Sequence, residues 1–182
     1  WSIGERNSVS SLWVSHEGIP VILPVEHVEA ADTNVLDDTI FAESTILADS
    51  GKLGWLHISI PPQMFPVERA APQHGQMTLL SKQLNVSQLF DARRQEWLTR
   101  ILDLGERVLK NGGHISIESS WTSSVWKDDK VAELMTKFRL LSTQVDFCCF
   151  GKGFRRSTKI ITDVGLLARP NMICPGKKRE RA

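Results

Sequence analysis

The amino-acid sequence predicts an α/β domain of the Rossmann-like, doubly wound type. Its sheet is mostly parallel, with helices on both faces and an antiparallel closing hairpin at one edge. Three observations carry that expectation. Short β-branched apolar runs alternate with longer segments of helical period along the 182 residues. The apolar runs end on proline, glycine or small polar clusters, as strands do before a crossover. The last two runs have no helix-length spacer between them, so they are expected to pair antiparallel.

Taken in order, Val9, Leu12, Trp13 and His16 fall at helical spacing and Gly18 is a natural stop. The run 19–25 with its two prolines reads as a short strand near an edge, followed by Glu26. Residues 34–49 read as a helix, with Leu36, Ile40 and Leu47 on one face, Asn34 as its cap and Gly51 as its terminator. The run 55–60 is a strand that Pro61 and Pro62 end.

Residues 66–89 show no clear period and are expected to form a long loop. The stripe Phe90, Trp97, Leu98, Ile101, Leu102, Val108 and Leu109 then marks a long helix, closed by Gly112 and Gly113. A strand over 114–118 follows, then a Ser/Thr/Trp loop. Val131, Leu134, Met135 and Phe138 form an amphipathic helix. Runs 145–150 and 158–162 are the closing strands. On this reading Cys148 and Cys149 would point to opposite sides of the sheet. Residues 1–174 are expected to form a single domain and 175–182 a basic, frayed tail.

Composition narrows the function classes. A formal net charge of +1 leaves no global attraction for nucleic acid or anionic lipid, so any such binding needs a local patch. No apolar stretch is long enough to span a membrane, and the partners expected exclude a membrane. Three cysteines without metal-ligand spacing indicate neither zinc nor a disulfide framework and point to a reducing, intracellular compartment. Glycine-rich dinucleotide and triphosphate fingerprints are absent.

In a doubly wound sheet, ligands gather beyond the carboxyl ends of the strands. Four places stand out: Glu26, Pro61-Pro62-Gln63, Glu118-Ser119-Ser120, and the turn from Gly151 to Arg156. Their order, with Ile3-Gly4-Glu5 before them and Trp126 and Asp146 to Lys159 after, resembles the cytosine-5 DNA methyltransferases. The likeness is greatest to the shortened, retroelement-associated type. It implies S-adenosylmethionine as cofactor, with Gly4 near the methionine moiety, Glu26 on the ribose hydroxyls and Pro61 beside them. It also implies DNA or another nucleic acid as partner, a base-binding role for Glu118, and a reacting strand end at Pro62 and Gln63.

The departures matter as much. Cytosine-5 transfer needs a thiolate to form the covalent adduct. Gln63 stands where the family has that cysteine, so the expectation is a pseudoenzyme at this reaction. Ser119 stands for the family's asparagine, and most of the family's first strand would precede Trp1. Amino-group methyltransferases carry an acid or amide before Pro-Pro and an aromatic after it. Ile60 and Gln63 fit that pattern less well, with Phe65 the nearest ring.

Other readings stand beside these. Pro61-Pro62 can simply stop a strand, and Glu118 can be a solvated carboxylate. His57 and His114 read as packed strand residues. The tryptophan loop can cap the core or stack a base. Lys152, Arg155, Arg156 and Lys159 can neutralise phosphates or protect an edge strand. The alternative function is therefore a non-enzymatic module that binds nucleic acid or protein on the same fold.

Overall fold

The computed structural model describes residues 2–4, 25–26, 35–61, 64–65, 80–150, 157–168 and 173–174, giving backbone only for 2–4, 25–26, 80–90 and 150. The helix expected over 8–16, most of the run 19–25, Pro62, Gln63, the basic turn 151–156 and the tail lie outside the described residues.

The architecture is α/β around one mixed sheet. Strands β1 (Ser2–Gly4), β2 (Val25–Glu26), β3 (Trp55–Ser59), β4 (His114–Ser120), β5 (Leu141–Asp146) and β6 (Ser157–Thr162) lie in the order β2-β1-β3-β4-β6-β5. The pairs among β1 to β4 are parallel; β6 runs antiparallel to both β4 and β5. The closing hairpin is therefore present at one edge, as expected. Because β1 is flanked by β2 on one side and β3 on the other, the sheet grows in both directions from β1.

Helix α1 (Asp38–Asp49) begins at Asp37, whose Oδ1 accepts from the backbone N–H groups of Thr39 and Ile40 at 2.9 and 3.2 Å. The expected cap at Asn34 is thus corrected: Val35 is buried in the core, and the next short acceptor, Asp37, meets the open N–H groups. Ser50 closes α1, and Gly51 turns the chain at φ +67.

Helix α2 (Leu80–Lys110) starts well inside the segment expected to be loop. No proline or glycine interrupts the sequence from Met77 to Leu104, and Leu80, Leu84, Val86 and Leu89 continue the helical spacing, so the helix extends back from its apolar stripe through them. Trp97, Leu98, Ile101, Leu104 and Val108 form its buried face. They meet Leu56, Ile58, Ile115 and Ile117 of the central strands, with Gly105 over the Ile115 and Ile58 side chains.

Helix α3 (Asp129–Lys137) is capped by Asp128 and stops at Arg139, the one described non-glycine residue with positive φ, at 52°. That reversal starts β5 at Leu141, four residues earlier than the sequence pattern places it, and residues 147–150 form a 3-10 turn instead of strand. Cys148 and Cys149 accordingly do not alternate across a sheet. A short helix α4 (Gly165–Ala168) follows β6.

Helices α1 and α3 both pack against α2, which packs on β3 and β4. Arg100 pins one end of α1 through Asp38 at 2.6 Å and the Val35 carbonyl at 3.2 Å, with its guanidinium over Phe41; Arg107 pins the other end through Asp49 at 2.7 Å. Lys137 of α3 reaches Glu106 of α2 at 2.8 Å. Helices on both faces of the sheet are not shown among the described residues, where α1 to α3 form one layer.

Candidate functional site

Side chains alternate across a strand, so β3 and β4 present two different faces. Leu56, Ile58, Ile115 and Ile117 are buried against α2. Trp55, His57 and Ser59 of β3, with Ser116 and Glu118 of β4, occupy the other face, and there they form one polar chain.

Its bonds have a direction. The Trp55 indole can only donate, and it reaches Ser116 Oγ at 3.0 Å. Ser116 Oγ lies 2.7 Å from His57 Nδ1, and the ring tautomer sets which of the two donates. His57 Nε2 is buried without a hydrogen-bond partner among the described residues, 3.8 Å from Glu118 Oε1. Ser59 Oγ donates to the same Oε1 at 2.9 Å. The Glu118 side chain keeps 26% of its surface exposed.

This is not the arrangement of a serine hydrolase. Ser116 is buried and already bonded on both sides, so it has no route to a substrate carbonyl.

The strand ends lie in one row. Gly4 pairs with Glu26, Ile3 with Ile58, and Ser59 with Glu118. Gly4, one residue beyond Ile3, is thus level with Ser59, and the row Glu26, Gly4, Ser59, Glu118 runs along the carboxyl-end rim of four parallel strands. Ile60 extends that rim by donating its N–H to the Glu118 carbonyl at 2.8 Å, and half-buried Pro61 follows it.

Two residues at this rim have other employment. Ser119, in the place of the family's asparagine, is buried and donates to the Ile60 carbonyl at 3.1 Å, locking the ends of β3 and β4 together. Phe65 is buried, with the Arg94 guanidinium 5.1 Å above its ring and Ser123 Oγ on its carbonyl at 3.0 Å. It is a core residue and offers no stacking surface to a flipped base, which removes the aromatic of the amino-group pattern.

The tryptophan loop divides its work. A 3-10 turn over Ser124–Lys127 buries Val125 and half-buries Trp126, whose indole N–H bonds the Ser120 carbonyl at 2.7 Å. Lys159, the described member of the basic cluster, lies with its ammonium 5.0 Å from the Trp126 ring, and burial lowers its pKa. Trp121 is 43% exposed beside the same strand end. Gln63, Pro62, Lys152, Arg155 and Arg156 lie outside the described residues.

No family model matches the chain, and no curated protein matches it. Among the described residues no group of His, Cys, Asp or Glu could hold a metal ion, and no helix is long and apolar enough to cross a membrane. An open depression by Ala132, Glu133, Thr136 and Lys137 lies on the solvent side of α3 and includes none of the strand-end residues.

Sequence reasoning singled out Glu118 but not its neighbours. Strand alternation alone would place Ser116 on the face of Glu118 and His57 on the face of Ser59. The missing step is the register between β3 and β4, which joins those two pairs.

Proposed function

We propose that the chain is a methyltransferase-like domain that binds S-adenosylmethionine at the strand-end rim and engages nucleic acid there, without methylating cytosine at carbon 5. One observation carries the reading. Gly4, Glu26 and Glu118 stand in a single register row where the sheet switches direction, between β1 and β3. Doubly wound sheets bind nucleotides in that crevice.

The residues fit the cofactor in kind. A glycine ending the first strand lets a ligand approach the backbone. A carboxylate ending the next strand suits the two hydroxyls of a ribose. The bound cofactor supplies an electrophilic methyl group. Glu118, approached by Ser59 and His57, accepts hydrogen bonds from an amino or ring N–H group of a base. Gln63 supplies no thiolate, so the covalent adduct needed to activate carbon 5 does not form.

Calorimetry with S-adenosylmethionine and with S-adenosylhomocysteine tests the cofactor half. Saturable heat is expected, weakened at least about tenfold by Glu26→Ala, which is about 1.4 kcal/mol of lost binding. An absence of heat and of any thermal shift at millimolar ligand overturns it. Labelled methyl transfer over mixed nucleic acids tests the rest, and a 5-methylcytosine product would contradict the role given to Gln63.

A further inference from the structure

The end of β5 and the segment at 173–174 bring two thiols together, and nothing in the strand-end reading uses them. Asp146, the last residue of β5, is fully buried, and its Oδ2 accepts the backbone N–H of Cys174 at 2.8 Å. That bond holds residue 174 against a chain position only two residues before Cys148. The 3-10 turn over Phe147–Phe150 then carries Cys148 back toward residue 174, so that the two thiols lie beside each other. All three cysteines are reduced and half-buried.

We propose that Cys148 and Cys174 form a reversible intramolecular disulfide, making this pair an oxidation site for hydrogen peroxide or a small-molecule disulfide. Cys149 is the bystander. Hydrogen-bonding to Cys174 is the main cause that pushes the Cys148 pKa up to about 11, with burial adding to it, so Cys148 holds its proton at neutral pH.

In the peroxide reaction, one of the two sulfurs bonds a peroxide oxygen as its thiolate, the O–O bond breaks, and the departing hydroxide takes a proton to become water. That cysteine is then a sulfenic acid. The second thiol attacks its sulfur, the S–O bond breaks, and the hydroxide released takes the second thiol's proton to form another water. Two thiols are oxidised and one peroxide is reduced. The bridge closes a ring over residues 148–174, which contains β6 and the central strand pairing it makes. It therefore restrains the unfolded chain as well as the segment at 173–174.

The test is a thiol count and non-reducing peptide map of the full chain, before and after peroxide or oxidised glutathione. Oxidation is expected to lower the count from the three cysteines of the sequence to one. It should link the peptides carrying Cys148 and Cys174, and raise the Tm by roughly 5–10 °C, reversibly with dithiothreitol. Cys149→Ser must keep all three effects; Cys148→Ser and Cys174→Ser must each lose the link, read directly on the map so that a change in stability does not confuse the result. A bridge between Cys148 and Cys149 or between Cys149 and Cys174, a covalent dimer, or three thiols unchanged after oxidant would each overturn the proposal. The readout needs neither cofactor nor nucleic acid, so its failure leaves the proposed function standing, and the converse holds.

Discussion

Two glycines on either side of one core contact behave oppositely. A Cβ on Gly113 would overlap the Leu53 carbonyl oxygen and come within 2.6 Å of Val108 Cγ1. Gly113→Ala is expected to cost about 1–3 kcal/mol, read from urea unfolding, since backbone and a branched core side chain must both move. A Cβ on Gly105 meets Ile115 and Ile58 at 3.7 and 3.8 Å, which is ordinary contact. Gly105→Ala removes mid-helix flexibility and should stabilise by about 0.5–1 kcal/mol in the same measurement. Neither sign is readable from the sequence, where both residues look like helix punctuation. At the rim, Glu118→Gln keeps an acceptor for Ser59 and so keeps the fold, while removing the charge offered to a base. Unchanged thermal stability with nucleic-acid or nucleobase binding reduced about tenfold or more is expected, and an unaffected affinity would remove Glu118 from the site.

At the level of elements, cations on α2 reach α1, and a cation on α3 reaches α2. Glu106 is the acidic counterpart, bonded to Lys110 within α2 and to Lys137 of α3. Its hydrogen bond from Lys110, then that from Lys137, holds its carboxyl below the ordinary 4.5. A folded pKa below the unfolded one means the unfolded chain binds the proton more readily as pH falls. Its stabilising contribution is therefore complete above the ordinary value and is lost as pH falls through the lowered one. The carboxylate is partly exposed, so Lys137→Met should cost under about 1 kcal/mol at pH 7 and flatten the acid limb of a stability-against-pH profile. Asp37→Ala tests the other helix start. Losing the acceptor for two N–H groups should cost about 0.5–2 kcal/mol by urea unfolding. The misplacement of β5 belongs at this scale too. Val145 to Phe150 has the apolar density of a strand, but Arg139 reverses the chain early, and pairing with β6 then selects the more polar Leu141–Asp146. Residues 141–144 carry little apolar alternation of their own, so only the partner strand reveals them.

For the molecule as a whole, the parallel central strands and the antiparallel edge hairpin were legible because strand and helix periods differ and because one spacer is too short for a crossover. The extent of α2 was not, because the Pro- and Gly-containing residues 66–75 made the whole segment read as loop, although Leu80 and Leu84, then Val86, Leu89 and Phe90, stand at helical spacing. Glu118 was legible as a strand-end acid. Its partners were not, because Trp55, His57 and Ser59 lie 59 to 63 positions away from it in a chain of 182 residues, joined only by parallel register. The proposed cofactor binding belongs to this scale, since it would draw on strands β1 to β4 together. At S-adenosylhomocysteine a hundredfold above its Kd, folding should gain about 2.7 kcal/mol, seen as a ligand-dependent rise in Tm.

The sequence by itself determined the alternation of strand and helix, the acids and prolines that close the strands, and an amide in place of any thiol at Gln63, because these are local properties of residue type and spacing. Tertiary structure alone decided that Gly4, Glu26 and Glu118 share one rim, that His57 and Ser59 face the Glu118 carboxylate, and that Cys174 returns to Cys148. The physical reason is that strand register and chain return are settled by packing and hydrogen bonding between distant segments, and no local pattern encodes which row meets which.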